Sequence, residues 1–167
     1  MEYFPVKIRV NYKQTYLIWC SDFLDKVFSV NGITPTFSSV EKLSEFSKLN
    51  KIEFNSEEAF YDFDKIKLWC ENPTPKIQAE SFLNTWNFFG DLAASYPTEH
   101  QQFELLTQKY IKQYNKLFYG CNLKCINSSS KKYRPEWLPQ ELLNIRAVFL
   151  YGLELCKKHF RANNMLN

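Results

Sequence analysis

The sequence predicts an α+β domain: a small N-terminal antiparallel β-sheet packed against a C-terminal layer of about four helices. Three observations predict it. Apolar and polar residues alternate through the first ten positions, whereas from about residue 62 the apolar residues recur at helical spacing. Strand patterns come first and helix patterns later, unlike the strand–helix–strand alternation of a parallel sheet. Aromatic residues make up 17% of the 167, enough apolar bulk for one core without disulfides. A single domain over 1–167 is expected, mainly strand with one helix over 1–55, helical over 62–160, and with an exposed loop over 121–137.

The first segment places Phe4, Val6, Ile8 and Val10 on one side and Lys7, Arg9 and Asn11 on the other, the pattern of a half-buried strand. Lys13-Gln14 is the turn candidate after it, and the more continuously apolar Thr15–Cys20 suits a central strand. A further strand or turn falls near Val27–Ile33, where Asn31-Gly32 is a strong turn signal. Ser38-Ser39-Val40-Glu41 reads as a capping box, a hydroxyl followed three residues later by a carboxylate. Val40, Leu43, Phe46 and Leu49 then follow at helical spacing, Asn50 stops the helix, and Lys51–Phe54 reads as a short strand.

A short helix through Ile66 and Trp69 must end before Asn72-Pro73, because proline disfavours helical geometry in the residue before it. The next helix, near 79–95, carries Phe82, Trp86, Phe89 and Ala93 on one stripe with Leu83 beside it. Pro97 breaks the chain, and Thr98 with Gln101 makes a second capping box. One long helix is then expected, with Phe103, Leu106, Tyr110 and Leu117 on its apolar side, ending at Gly120. The last helix starts near Leu138-Pro139, proline being tolerated in a first turn, and its core face is Leu142, Ile145, Phe149, Leu153 and Cys156. The tail RANNMLN reads as frayed.

The net charge is +3, unevenly placed: residues 1–71 hold 9 basic and 11 acidic side chains, residues 72–167 hold 12 and 7. That polarity is too weak to mark a nucleic-acid binder by charge alone. The N-terminus lacks a basic segment followed by an apolar run, and no stretch approaches the ~18 apolar residues of a membrane helix. Five cysteines, an odd number without a regular framework, fit free thiols in a reducing cytoplasm.

Catalytic motifs are absent from the sequence. His100 and His159 are the two histidines, neither sits in a motif, and four glycines leave little room for a phosphate-cradling loop. His100 reads as a surface residue. Cys121 and Cys125 with Cys156 and His159 have donors for a Cys3His zinc site. The spacing matches no common zinc module, and buried free cysteines often act as small core hydrophobes; no metal or cofactor is expected. Glu53, Glu57, Glu58, Asp62 and Asp64 lie within twelve residues free of Lys and Arg. As catalysis the run lacks a positioned partner. Its plainest reading is a solvated loop with Asp62 or Asp64 capping the next helix, and a third is a docking patch for a basic protein. Lys124, Lys131, Lys132 and Arg134, interleaved with Tyr133 and Trp137, have the composition of an RNA-contacting loop. They equally describe a solvated loop.

Ser81–Ala93 (SFLNTWNFFGDLA), together with Phe37–Leu43 and the Tyr61–Pro73 segment with its Trp69, resembles a part of the small immunity proteins of contact-dependent growth inhibition and related polymorphic toxin systems. The likeness covers about residues 37–96. It implies a cytoplasmic, non-enzymatic bacterial antitoxin that binds the C-terminal domain of one cognate toxin, often a nuclease, and occludes its active or substrate-binding surface. On that reading Glu57, Glu58, Asp62 and Asp64 are the toxin-contacting candidates. The alternative is an RNA-binding or regulatory module using loop 124–137, with Lys131, Lys132, Tyr133 and Arg134 as the nucleic-acid contacts.

Overall fold

The computed structural model describes residues 1–125 and 131–162. Its first two strands form where the alternation predicts them. β1 (Glu2–Val10) and β2 (Lys13–Ser21) run antiparallel with Val10 opposite Lys13. The turn between them is Asn11-Tyr12, not Lys13-Gln14. Both turn residues have positive φ, 51° and 60°, the two-residue geometry whose twist matches that of the strands. Tyr12 does not advertise such a turn; its N–H is held by Asp64, whose Oδ2 accepts it at 2.8 Å.

β3 (Lys26–Val27) adds antiparallel to β2. Asn31-Gly32 then turns the chain as predicted, with Val30 and Ile33 exchanging backbone hydrogen bonds of 2.8 and 3.0 Å. β4 (Thr34–Thr36) leaves this sheet and pairs in parallel with β6 (Phe160–Ala162). The first two residues of the supposedly frayed tail are therefore in a ladder; residues 163–167 lie outside the described residues.

α1 (Val40–Leu49) is capped one residue later than the sequence suggests: Ser39, not Ser38, accepts the Lys42 N–H. Asn50 ends it as expected, its side-chain amide donating to the Phe46 carbonyl. Lys51–Phe54 is not a strand. Lys51 takes a positive φ of 55°, and Phe54 makes a single bridge to Tyr3. The acidic run instead leads into β5 (Ala59–Asp62), which adds in parallel to β1 and makes the sheet order β3-β2-β1-β5. The α+β class holds, with the sheet mixed by this one parallel edge.

Both sheet faces are covered. Val6, Ile8 and Leu17 face the main core, whereas Ile18 faces a smaller cluster with Phe37, Leu43 and Ile52 under α1. The main core is built by α2 (Phe63–Glu71), α3 (Ala79–Ala94), α4 (Pro97–Lys109), α5 (Ile111–Gly120) and α6 (Pro139–His159). The predicted long helix over 98–120 is thus two helices, broken at Tyr110. A straight helix of that span would run ~35 Å, longer than the ~24 Å of α3, and the break lets it wrap around α3. Neither residue of the second capping box caps: Tyr96 occupies that position without a side-chain bond, followed by Pro97.

The predicted stripe Phe82, Leu83, Trp86, Phe89 and Ala93 is buried, and so are Thr85, Phe88 and Leu92. α3 is therefore enclosed on most sides, the mark of a central helix. It packs against α4, α5, α6 and β3. On α6, Leu142, Ile145, Phe149 and Cys156 are buried as expected, Leu153 is half-buried, and Val148, Gly152 and Leu155 join the core.

Candidate functional site

The acidic residues singled out in the sequence have different jobs. Glu57 and Glu58 are exposed before β5. Asp62 is the N-cap of α2, accepting the Lys65 N–H, and it pairs with Arg9 at 3.0 Å. Arg9 and Asp62 face one another in the β1–β5 ladder, so this is a lateral pair that fixes the register of the edge strand. Asp64 holds the Tyr12 turn. The two aspartates serve the fold, and the two glutamates are left as surface charges.

Lys131, Lys132, Tyr133 and Arg134 are exposed. Tyr133 is pinned to Asn122 by a backbone N–H to Oδ1 bond of 2.7 Å and a return bond from Nδ2 to the Tyr133 carbonyl of 2.9 Å. Trp137 has the Lys116 ammonium 5.2 Å from its ring centroid, so its face is already taken. The remainder of the Ser-rich stretch, 126–130, lies outside the described residues. Cys121, Cys125, Cys156 and His159 are not assembled: among the described residues no three His, Cys, Asp or Glu side chains are grouped to hold a metal ion. All five cysteines are free. Burial pushes the Cys70 thiol up to about 12 and that of Cys156 higher still, which keeps both as unreactive thiols.

His159 is buried in a polar hub. Its ring stacks on Tyr96 at 3.6 Å, and Nε2 lies 3.4 Å from Glu99 Oε1. Glu99, 7% exposed, also accepts from the Tyr151 hydroxyl at 3.1 Å and pairs with Lys158. Tyr96 shares a 2.7 Å hydrogen bond with the fully buried Thr34. The hub ties the start of α4 to the end of α6 and to β4. The Lys158 hydrogen bond, opposed by burial and helped by Tyr151 and His159, holds the Glu99 carboxyl below its ordinary 4.5. A carboxylate depressed in the folded state contributes stability that is complete above 4.5 and lost as pH falls through the folded value. Urea midpoints measured from pH 7 to 3 should therefore fall more steeply for the native chain than for Glu99→Gln. Parallel curves would remove Glu99 from the acid sensitivity.

One concavity was not foreseen. An open groove of about 780 Å³ lies between the β2–β3 loop and helices α3, α4 and α5. Trp19 and Tyr61 line it from the sheet, Trp86 from α3, and Phe103 and Tyr114 from α4 and α5. Its rim carries Phe23 and Leu24, which are 103% and 49% exposed. Along α3 the groove meets a polar stripe, Asn84, Asn87 and Asp91. Asn87 accepts the Tyr114 hydroxyl at 3.0 Å, and Asp91 Oδ2 accepts the Trp19 indole N–H at 3.0 Å. Burial pushes Asp91 up to about 6, against the Trp19 bond and with help from nearby Asp25. Tyr61 is pushed up to about 12 by burial and by the Asp91 charge, so it stays a phenol. Asp25 and Glu104 are the other carboxylates in the lining, His100 sits 3.7 Å from Glu104, and the lining contains no Lys or Arg. His100, expected at the surface, is half-exposed at the groove wall. The signal for this site was in the sequence: polar residues at 84, 87 and 91 share one face of a predominantly apolar helix.

No protein-family profile matches the chain, and no curated protein matches it. Among solved structures it is similar to the C-terminal domain of SatS, crystallised in complex with bromine: 12% identity over 96% of this chain and 94% of that one, with a TM-score of 0.47. A likeness of that degree carries nothing about function. Among the described residues no helix is long and apolar enough to cross a membrane.

Proposed function

We propose that this chain is an immunity protein of the contact-dependent growth inhibition kind. It acts in the cytoplasm by binding, not by catalysis: it holds a cognate toxin domain, a nuclease, and covers its active or substrate-binding surface. The observation that carries this reading is the groove, an acidic concavity lined by helices and the edge of the sheet, with the fully exposed Phe23 standing at its rim. An exposed aromatic beside a concave floor is the anchor arrangement in which a few residues supply most of an interface's affinity. Nucleases present basic clefts to their substrates, and carboxylates facing such a cleft speed encounter and fix register.

The test is co-expression with the toxin C-terminal domain encoded directly upstream. A stoichiometric complex that survives high salt and restores growth is expected. Phe23→Ala should weaken it at least tenfold with an unchanged thermal midpoint, since the side chain touches nothing that folding needs. Reversing Glu57 and Glu58 together should mainly slow association, as surface charges do. Asp62 and Asp64 are unsuitable for that test because they hold α2 and the Tyr12 turn. The absence of any complex, with steeply salt-dependent binding to generic RNA, would overturn the reading in favour of the 124–137 loop.

A further inference from the structure

Asp91 is half-buried where α3 meets the groove. Oδ2 accepts the Trp19 indole, but Oδ1 accepts no hydrogen bond and neither oxygen meets a cation among the described residues. Of the other buried or half-buried carboxylates, Asp62 has Arg9, Glu99 has Lys158 and Glu141 has Lys116, whereas Asp64, half-buried like Asp91, is held by the Tyr12 N–H. Withdrawing a carboxylate from water without a counter-charge is costly. Asp91 carries that cost at the floor of a groove in which Asp25 and Glu104 add to the negative field. The walls around it are aromatic faces and edges: Trp19, Tyr61, Trp86 and Tyr114.

We propose that the groove receives an arginine side chain of the protein partner, with its guanidinium against Asp91 and its plane along the aromatic walls. The inference rests on the reading that this chain works by binding a protein, and it names the chemistry of the anchor. A guanidinium fits better than an ammonium on three counts. It is planar and stacks on aromatic rings. It sheds water more readily than lysine does. Its forked donors can serve the open Asp91 oxygen while Asp25 or Glu104 screens the remaining charge. The volume lies within the range of side-chain and small-ligand pockets, roughly 300–1,000 Å³. A metal ion is a poor occupant, because no three ligating side chains are grouped here among the described residues.

The probe is blocked arginine (N-acetyl-arginine methylamide), titrated into the full chain and followed by the four tryptophan indole N–H resonances; Trp19→Phe assigns the one bonded to Asp91. Arginine should give a saturable shift of the Trp19 indole at millimolar concentration. The uncharged citrulline analogue should give none. Asp91→Asn keeps an oxygen acceptor for the indole and should retain the fold while abolishing the shift. Blocked lysine should bind at least threefold more weakly. No shift with arginine, an equal shift with citrulline, or an unchanged shift in Asp91→Asn each overturns the inference. His100, Tyr61 and Tyr114 face the same space, so the substitution, not a pH series, is the deciding comparison. In the toxin assay the two claims separate. A native complex that Asp91→Asn leaves intact refutes the arginine anchor and spares the immunity reading. Failure of the native chain to bind toxin, with arginine binding intact, does the reverse.

Discussion

Gly152→Ala should lower the stability of this protein by about 3 kcal/mol or more, at the upper end of what overpacking a core costs. A Cβ at this position would stand 2.1 Å from the ring of Phe89, far inside van der Waals contact. The glycine is helical, so alanine would otherwise be favoured there by about 1 kcal/mol on propensity alone. The steric term decides the sign because Phe89 has nowhere to go: it is fully buried, with Phe63 5.3 Å and Phe149 6.1 Å away by ring centroid. For a chain of this length the thermal midpoint should drop by roughly 10 °C. The decisive measurement is a double-mutant cycle with Phe89→Leu. That change alone is destabilising, but in the Gly152→Ala background it should return at least about 1 kcal/mol, since contacting residues couple on that scale. Additive effects would mean that α3 and α6 slide apart instead of clashing.

What the sequence revealed and what it hid follow from the range of the interactions. Turns and caps set by neighbours were legible: Asn31-Gly32 turns, Asn50 stops α1, and α2 ends before Asn72-Pro73. So was the buried stripe of α3, because helical spacing is a local property. The hidden features are pairings between distant segments. β5 reads as acidic loop because its pairing energy comes from β1, 53 residues away at the Arg9–Asp62 contact. β6 reads as a tail because its partner β4 lies near residue 35. The Tyr12 turn depends on Asp64. The four acidic candidates were visible as a run, yet two of them are spent on these long-range contacts. The groove stayed hidden for a similar reason. Trp19, Asp91 and Tyr114 come from a strand and two helices, and only the stripe at 84, 87 and 91 hinted that α3 keeps one face open.

That open face makes Trp86 the side chain where packing and the candidate site meet. It is 1% exposed, yet its edge lines the groove. The indole N–H donates to Thr107 Oγ1 at 3.1 Å, and the ring meets Tyr114 and Phe149 edge-on at 5.6 and 6.4 Å. One residue thus joins α3 to α4, α5 and α6. Trp86→Ala should cost about 3–5 kcal/mol, the range for emptying a large aromatic site that neighbours refill only in part. Trp86→Phe keeps most of the bulk and loses the donor to Thr107, a partner that other groups or water can satisfy, and should cost about 1–2 kcal/mol. Urea midpoints with unchanged slopes would measure both. The order matters more than the size. If phenylalanine were as damaging as alanine, the hydrogen bond to Thr107, not the packing of four helices, would be what holds the groove's floor in place. With the expected order, Trp86→Phe should still give the arginine-induced shift of the Trp19 indole, because Asp91 and the sheet side of the groove do not depend on the lost donor.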